Sequence, residues 1–402
     1  MNSDVIVIGG GASGMAAALA AAKTGASVTI LEKKEQNGKK ILVSGNGHCN
    51  YSNPDLSVCH YHTSDPEQLA AFLKGFPSER LLGEFREIGL VSVLRNGGYY
   101  PASFQAASVN AAFFAALKQL SVKTLNQVNV TAVERTEEGF RIATDQGVFF
   151  AKKVILACGS PAGVNDKRPF NAYEMLASLG LSVSAVFPAL TRLTGASGPE
   201  PLWDGVRVQG TVSYKEKSYS GELQLKNDGI SGIPAFQLAH DVNAALRNGE
   251  GVRIRISFLN DPSREKLKGF LKDAAKSTLT GSLPFRDLIP QILPKKLAAA
   301  LFKGKPYETL PVSQLTTEAL EDLLDCIYEY SYPVSGTAPM KEAQAAAGGL
   351  KLSAVDEHFE VKEMPGLFVT GELLDVDGET GGYNLHFAFA SGFTAGEKAG
   401  KR

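Results

Sequence analysis

A glycine-rich turn near the start of the chain limits the fold more than any other feature of the sequence. Residues 5–8 form a β-branched run typical of a buried parallel strand, the motif Gly9-x-Gly11-x-x-Gly14 follows at once, and an alanine-rich helical stretch continues from it. A second β-branched run then ends at Glu32. This order of a strand, a glycine turn, a helix, a second strand and an acidic residue predicts a βαβ unit that binds a dinucleotide.

Each part of this unit has a chemical reason. The first glycine permits the sharp turn, the second lets a pyrophosphate approach the backbone, and the third lets the helix pack against the strand. A carboxylate after the second strand accepts ribose hydroxyls and repels a 2′-phosphate, which favours FAD or NAD over NADP; an accidental glycine turn is the alternative. The contacts expected here are Gly9, Gly11, Ala12, Ser13, Gly14, Glu32 and Lys33.

A second glycine-rich block, residues 371–384, precedes the last helical stretch. FAD is a long ligand whose isoalloxazine ring lies far from its adenine, so an FAD protein needs backbone contacts late in the fold. We expect Glu372 to reach the ribityl chain or the second ribose, and the amides of Gly381, Gly382, Tyr383 and Asn384 to open a helix that stabilises charge on the flavin. The alternative is an acidic surface loop, or a weak cation site of Asp375, Asp377 and Glu379.

Composition excludes several other classes of protein. Of the 402 residues, 44% are hydrophobic and 21% are charged, as in soluble globular enzymes. The formal net charge is −1, without the lysine and arginine surplus that a nucleic-acid or polybasic membrane partner needs. The four cysteines form no C-x-x-C pair, and no membrane-length apolar run stands out. We therefore expect a cytoplasmic protein with a small-molecule substrate, no metal site and an oligomeric state that the sequence does not indicate.

The pattern of the chain changes near residue 188. From residue 205 to residue 258 apolar and polar residues alternate, which is typical of half-exposed antiparallel strands, and from 262 to 329 the pattern becomes helical. A buried-strand pattern returns at 366–370. We predict a discontinuous first domain at 1–188 and 338–402, an inserted β domain at 189–261 and 327–337, and a helical subdomain at 262–326.

Four segments carry a resemblance to a known family. Residues 39–53 (KKILVSGNGHCNYSN), 154–160 (VILACGS), 227–238 (NDGISGIPAFQL) and 366–396 (GLFVTGELLDVDGETGGYNLHFAFASGFTAG) together resemble the HI0933-like flavoprotein family. That family includes FAD-dependent oxidoreductases of the aminoacetone oxidase and bile-acid reductase types. The resemblance implies an α/β fold with an FAD-binding Rossmann-like domain, interrupted by an antiparallel β-barrel-like domain and a small helical subdomain.

The resemblance also implies further contacts with FAD. In the family, the loop that matches residues 44–50 runs along the cofactor, which points to Ser44, Gly45, Gly47, Cys49 and Asn50. The remaining positions it implies are Lys40, Val130, Ala157, Cys158, Gly159 and Gly371.

The chain departs from the family pattern at three places. His48 stands where the loop usually has arginine, so a fixed charge becomes a group that titrates near neutrality. Cys158 replaces a threonine, and the loop at 161–169 differs from the common serine- and glycine-rich version. These differences predict a substrate preference of its own.

The expected chemistry is hydride exchange between flavin N5 and a small or medium-sized organic substrate. An enone reductase driven by NADH or NADPH is the favoured form; an amine oxidase of the aminoacetone type, a non-catalytic flavoprotein and an NAD-dependent dehydrogenase are the alternatives. The catalytic candidates are Tyr383, His386 and His48, although a core position is the simpler interpretation of His386. Arg95, Tyr99 and Tyr100 are candidate substrate contacts.

Overall fold

The computed structural model describes residues 2–163, 171–195 and 200–401. Most of the loop at 161–169 therefore lies outside the described residues. The chain forms two compact units: unit 1 spans Met1–Phe187 and Ala345–Arg402, and unit 2 spans Pro188–Gln344.

The strands within the described residues are, in chain order, β1 Asn2–Ile8, β2 Val28–Glu32, β3 Tyr61–His62, β4 Ser92–Arg95, β5 Gly98–Pro101, β6 Lys123–Asn126, β7 Val130–Thr136, β8 Gly139–Thr144, β9 Gly147–Leu156, β10 Phe187–Ala189, β11 Leu193–Gly195, β12 Arg207–Tyr214, β13 Lys217–Lys226, β14 Gly229–Ser231, β15 Val252–Ser257, β16 Tyr330–Thr337, β17 Ala345–Ala347, β18 Leu367–Val369 and β19 Asp377–Gly378.

The α-helices of the same residues are α1 Ala12–Lys23, α2 Lys39–Val43, α3 Pro66–Gly75, α4 Ser78–Glu87, α5 Ala106–Gln119, α6 Ala172–Ser178, α7 Glu200–Trp203, α8 Ile233–Arg247, α9 Arg264–Lys276, α10 Phe285–Leu288, α11 Lys295–Phe302, α12 Thr317–Tyr328 and α13 Tyr383–Gly400.

The main sheet of unit 1 brings the carboxyl ends of five parallel strands to one edge. Its order is β6-β2-β1-β9, β18 pairs with β9 in parallel, and β8 and β7 extend it antiparallel. Residues 5–8 of β1 are buried, as their unbroken apolar run predicts. Ligands of open α/β sheets bind outside this carboxyl edge, and the Gly9–Gly14 turn lies there.

Helices α1 and α13 of unit 1 pack through backbone rather than through side chains. A Cβ on Gly392 would lie 2.2 Å from the carbonyl oxygen of Ser13, and one on Gly396 would lie 2.2 Å from that of Ala17. Gly400 continues the row against Ala21. A glycine every fourth residue on α13 and small residues at the same spacing on α1 let the two backbones touch; we call this contact the α1–α13 seam.

Unit 2 is built on a closed antiparallel barrel of strand order β11-β14-β13-β12-β15-β16. The alternation along these strands places every second side chain inside, as in β15, where Val252, Ile254 and Ile256 are buried. Leu267 of α9 belongs to the same apolar cluster as Ile254 of the barrel strand β15.

The fold class expected from the sequence is confirmed: a Rossmann-type α/β sheet is interrupted by an antiparallel barrel. In the structure the barrel and the helices of residues 262–326 form one unit with one apolar cluster. The three-part division with boundaries at 188, 261, 326 and 338 stays a prediction. Among the described helices, none is both long and apolar enough to cross a membrane.

Candidate functional site

The three glycines of the first turn face different surroundings. A Cβ on Gly9, whose φ is +104°, would lie 2.4 Å from the carbonyl oxygen of Ala157, and one on Gly14 would lie 1.9 Å from that of Gly9. No atom of the described residues lies within 4 Å of the Cβ position of Gly11. Packing within the protein therefore requires glycine at positions 9 and 14, whereas Gly11 faces open space where a ligand can approach the backbone.

The elements on both sides of this turn hold their polar groups in place. Helix α1 begins at Ala12 with no side chain capping it, and Ser13 is buried in its first turn. The Gly10 N–H donates to Glu32 Oε2 at 2.6 Å, and the Lys34 N–H donates to Glu32 Oε1 at 2.7 Å. Lys33, between Glu32 and Lys34, is half-buried. Since a carboxylate oxygen accepts more than one hydrogen bond, Glu32 keeps capacity for ribose hydroxyls.

The ends of β9 and β7 border the same region. Ala157 N–H donates to the carbonyl of Ile8, which puts Cys158 and Gly159 beside the glycine turn. Burial raises the pKa of the Cys158 thiol to about 12, so this sulfur stays protonated. The Val128 N–H donates to the carbonyl of Glu32, and this contact brings the start of β7, at Val130, alongside the end of β2.

The family loop at residues 44–50 is a tight turn with left-handed backbone at Gly45, Gly47 and Cys49. The Cys49 N–H donates to the carbonyl of Ser44 at 3.1 Å and closes the turn. Cys49 is fully buried, and burial raises the pKa of its thiol to about 12. Both candidate cysteines are thus neutral thiols at physiological pH, which argues against thiolate chemistry at this site.

Asn50 connects this loop to two other segments. A Cβ on Gly98 would lie 2.4 Å from Asn50 Nδ2, and one on Gly382 would lie 2.6 Å from Asn50 Oδ1. Asn50 Oδ1 is buried and accepts no hydrogen bond from any residue that the structure describes. A buried acceptor without a donor is costly, so this oxygen is available to a ligand's N–H or O–H group.

The C-terminal block is fixed to the rest of unit 1 by polar contacts. Glu372 pairs with Lys40 Nζ at 2.7 Å through Oε2 and accepts the Ala346 N–H at 3.0 Å through Oε1. The Gly371 N–H donates to Ser391 Oγ at 3.0 Å. The expected ribityl contact of Glu372 therefore has to share a carboxylate that already bonds to two protein groups.

Helix α13 starts directly after the glycine pair, as the block predicts. Gly382 is its N-cap residue with a φ of +98°, and no side chain caps it. Asn384 Oδ1 accepts the Gly378 N–H at 2.9 Å, and its Nδ2 donates to the Gly378 carbonyl at 2.7 Å. Asn53 Nδ2 donates to the carbonyl of Gly381 at 3.1 Å. Side-chain amides therefore fix the glycine turn in front of the helix.

Tyr383, the first residue of α13, is almost fully buried. Its ring stacks on the imidazole of His60, with centroids 4.7 Å apart, and meets Tyr61 edge to face. Burial, together with the nearby carboxylates of Asp55 and Glu379, raises the pKa of Tyr383 to about 12. The phenol is therefore protonated at neutral pH and can donate its proton.

His60 is held between two carboxylates. Its Nδ1 lies 2.8 Å from Glu379 Oε2 and its Nε2 lies 3.3 Å from Asp55 Oδ2. Burial opposes the charged imidazole, but the hydrogen bonds to Glu379 and Asp55 outweigh it and raise the pKa of His60. The sequence does not indicate this group, because Glu379 and His60 are far apart in the chain and no local pattern links them.

The three carboxylates of the alternative cation site each have a separate partner. These contacts are Asp375 with Ser64 Oγ at 2.6 Å, Asp377 with His62 Nδ1 at 3.3 Å, and Glu379 with His60 Nδ1 at 2.8 Å. Together with the β3–β19 pairing they tie residues 60–64 to residues 375–379. The acidic residues thus serve to hold the glycine block in place.

His386 lies in the core of unit 1. It is fully buried, its Nε2 lies 3.1 Å from the carbonyl oxygen of Phe76, and its Nδ1 lies 2.9 Å from Ser52 Oγ. The carbonyl can only accept, so Nε2–H donates to it and Nδ1 accepts from the hydroxyl. Burial lowers the pKa of His386 to about 4. Since both ring nitrogens are engaged, the geometry supports the core role considered for His386 rather than a catalytic one.

His48 is half-buried at the end of the family loop. Its Nδ1 donates to the carbonyl of Phe104 at 2.9 Å, and its ring stacks on the Phe104 ring with centroids 4.0 Å apart. This tautomer leaves Nε2 as the acceptor of the neutral imidazole. Unlike His386, His48 keeps one ring nitrogen for a ligand or a proton.

The predicted contacts thus fall into one connected region of unit 1. The glycine turn, the ends of β2 and β9, the 44–50 loop and the start of α13 all lie along or next to the carboxyl edge of the sheet. Three features fit FAD: open space at Gly11, an uncapped helix start behind it, and the buried unpaired Oδ1 of Asn50.

Comparison with known proteins decides the family. The model of the HI0933-like protein Rossmann domain matches residues 3–398. The chain belongs to this family. It is 36% identical to the 3-dehydro-bile acid delta(4,6)-reductase of Clostridium scindens, over 98% of both proteins. It is 24% identical to the ribosomal RNA dihydrouridine synthase of Haemophilus influenzae, over 97% of both.

A solved structure agrees with the fold. The 3-ketosteroid delta1-dehydrogenase of Sterolibacterium denitrificans, in complex with 1,4-androstadiene-3,17-dione, matches with a TM-score of 0.54 over 99% of both chains, at 13% identity. At that identity the match concerns the fold alone. The family assignment confirms the class expected from the sequence, an FAD-dependent oxidoreductase.

Proposed function

We propose that this protein is an FAD-dependent reductase of carbon–carbon double bonds conjugated with a carbonyl group, with NADH or NADPH as the electron donor. The observation that carries the proposal is the 36% identity, over nearly the whole chain, to the Clostridium scindens reductase. The Haemophilus influenzae relative has a different substrate, yet the 5,6 bond of uracil is also conjugated with a carbonyl. The common element of the two reactions is the type of bond that is reduced.

The residues proposed to hold FAD are those that meet at the carboxyl edge of the sheet. The Gly11 backbone and the start of α1 would hold the pyrophosphate, Glu32 would hold the adenosine ribose, and Asn50 with the Gly381–Gly382 turn would hold the flavin end. When bound, FAD supplies the hydride that reduction of the double bond needs. The protein then has to orient the substrate and provide one proton.

Tyr383 is the proposed proton donor. Its pKa of about 12 keeps the phenol protonated at neutral pH, and its place in the first turn of α13 puts it next to Gly381 and Gly382. Stacking on His60 fixes the ring, so Tyr383 Oη can give its proton to the α-carbon of the substrate. His48 is the alternative donor, but only in its cationic form, because the proton of its neutral tautomer is on Nδ1 and is donated to the Phe104 carbonyl.

The test is an anaerobic titration of the purified protein loaded with FAD. We expect NADH or NADPH to bleach the flavin bands near 450 nm, and a conjugated enone such as 4-androstene-3,17-dione to restore them. Bleaching by aminoacetone and recovery in air with peroxide would instead establish the oxidase. Recovery with ribosomal RNA and not with enones would assign the RNA substrate.

The same experiment tests Tyr383→Phe. This variant should bind FAD and be bleached by the nicotinamide like the wild type, because it keeps the aromatic ring. The enone should reoxidise the reduced flavin of this variant about 10²–10⁴-fold more slowly than that of the wild type, which is the usual contribution of a general acid. An unchanged oxidation rate would leave His48 or solvent as the proton source.

A further inference from the structure

Unit 1 contains a cavity away from the candidate site. It has a volume of about 530 Å³ and is lined by α3, α13 and the segment at residues 352–362. None of its lining residues is among those proposed to hold FAD. Phe387 and Thr394 line it from the side of α13 opposite Gly392 and Gly396 of the seam. The volume is within the usual range for pockets that bind small organic molecules.

The wall of this cavity is aromatic. Phe359 and Phe387 both meet Phe72 edge to face, with centroids 4.7 Å and 5.9 Å from that ring. The Phe76 ring lies 6.2 Å from Phe72 and lines the cavity as well. Phe72 is only half-buried, so the group presents apolar surface to the cavity. A preformed aromatic wall binds flat apolar molecules through burial of apolar area and through ring contacts.

Phe359 is held in this wall against its backbone preference. Its φ is +65°, in the left-handed region that a bulky side chain rarely adopts. Asp356 Oδ1 fixes the loop on both sides, because it accepts the N–H groups of His358 at 2.8 Å and Glu360 at 2.9 Å. Residues in such conformations persist where the surrounding structure enforces them, and they are concentrated at ligand clamps and other functional sites.

The charged side chains at the rim favour a neutral occupant. Arg80 Nη2 donates to both carboxylate oxygens of Glu397 at 3.1 Å. Lys362 Nζ donates to a backbone carbonyl at 2.8 Å. The rim also carries the carboxylates of Asp356 and Glu357, so its acids outnumber its arginine and lysine. An anion would enter this cavity without a free cation to pair with, which is costly.

One polar group in the cavity has no partner. Thr394 lines the cavity, and its Oγ1 is buried and forms no hydrogen bond with any residue that the structure describes. A buried hydroxyl without a partner is costly. The Thr394 side chain is only half-buried, and rotation about its Cα–Cβ bond exchanges the hydroxyl with the methyl group. The hydroxyl can therefore turn towards a molecule in the cavity.

We propose that this cavity binds a neutral, flat aromatic molecule with one hydroxyl group, of the phenol or naphthol type. The phenylalanine rings bury its apolar faces, and Thr394 Oγ1 forms a hydrogen bond with its hydroxyl, since each group both donates and accepts. The site is separate from the proposed substrate site, so the inference does not depend on the reductase proposal.

Equilibrium dialysis of the FAD-loaded protein against three matched probes tests the ligand class. The probes are 2-naphthol, naphthalene and 2-naphthoate. Naphthalene should bind about three- to tenfold more weakly than 2-naphthol, the effect of one hydrogen bond. The anion 2-naphthoate should bind more weakly by about tenfold or more, because the rim offers no free cation. No saturable binding of 2-naphthol up to about 1 mM, or tighter binding of 2-naphthoate, would overturn the inference.

Two variants locate the bound probe. Thr394→Val keeps the shape of the side chain and should weaken 2-naphthol about three- to tenfold, with naphthalene unchanged. Ala71→Trp, at an exposed position of α3 on the rim, should close the entrance and weaken both probes by about tenfold or more. Ala115→Trp, at an exposed alanine of α5 outside the cavity, is the control and should change neither.

The flavin absorption bands separate this site from the cofactor site. They should not change when 2-naphthol binds in the cavity. A new long-wavelength band, as an aromatic ring stacked on flavin produces, or binding that survives Ala71→Trp would place the probe elsewhere and overturn the inference. Equal affinity of Thr394→Val and the wild type for 2-naphthol would contradict the hydrogen bond to Thr394.

Discussion

The α1–α13 seam and the β4–β5 hairpin are two parts of unit 1 with opposite kinds of surface. In the seam, Gly392 and Gly396 touch carbonyl oxygens of α1, so that no side chain fits between the helices. On the hairpin, Val93, Leu94 and Arg95 are in solvent. The close contact between the helices requires small residues in the seam, whereas the packing of the protein does not restrict side-chain size on the hairpin. Substitutions are therefore expected to cost more stability in the seam than on the hairpin.

The strongest test of this contrast is Gly396→Ala in the seam. The new Cβ would lie 2.2 Å from the Ala17 carbonyl oxygen, so the two helices have to separate. We expect a loss of about 1–3 kcal/mol in the free energy of unfolding, measured with urea.

The matched control is Gly83→Ala in α4. The Cβ position of Gly83 has no atom of the described residues within 4 Å, and alanine is the better helix former, so stability should rise by about 0.5–1 kcal/mol. Equal effects of the two substitutions would show that the seam tolerates a side chain.

Gly11→Val tests the part of the turn that faces open space. The Cβ position has no neighbouring atom among the described residues, so the far-UV circular dichroism should not change. The side chain occupies the space proposed for the pyrophosphate, so retained FAD should fall below about a tenth of the wild-type amount. Gly251→Val, at another unobstructed glycine, should retain full flavin. Full flavin in Gly11→Val would contradict the assignment of this turn to the cofactor.

The smallest expected effect is that of His60→Gln, which changes the residue whose ring stacks on Tyr383. The pKa of His60 is raised in the folded protein, so its contribution to stability is complete below the ordinary pKa of 6.5 and is lost as the pH rises through the raised value. We expect the variant to be less stable than the wild type by about 1 kcal/mol near pH 6, and by less near pH 9. His358→Gln, at a half-buried histidine of another loop, is the control. A stability difference for His60→Gln that grows with pH would contradict the ion-pair assignment.

Local patterns in the sequence predict the regular elements of unit 1 well. The amphipathic pattern of residues 66–75 predicts a helix, which the structure has at Pro66–Gly75, and the buried strand predicted at 5–8 lies within Asn2–Ile8. The last helix, predicted to open at residues 381–384, begins at Tyr383, because left-handed Gly382 serves as its N-cap. Strand and helix periodicity, glycine turns and the acidic residue after β2 carry this information over short distances.

Contacts between distant segments are not predictable in this way. Glu379 bonds to His60, and the side chain of Asn50 packs against Gly98 and Gly382. The segments that meet in these contacts share no sequence pattern. His386 shows the reverse case: the sequence leaves it open between a catalytic and a core position, and in the structure it is buried with both ring nitrogens bonded. Side-chain type predicts chemistry only where the fold leaves the group accessible.

The barrel of unit 2 begins and ends with neighbouring strands. Leu193 of β11 pairs with Thr337 of β16, so the polypeptide enters and leaves this unit at the same place. A domain whose two ends are adjacent can be exchanged, shortened or replaced by recombination without a change in the strand order of the parallel sheet. New domains could thus be acquired in the course of evolution while the nucleotide fold stays intact.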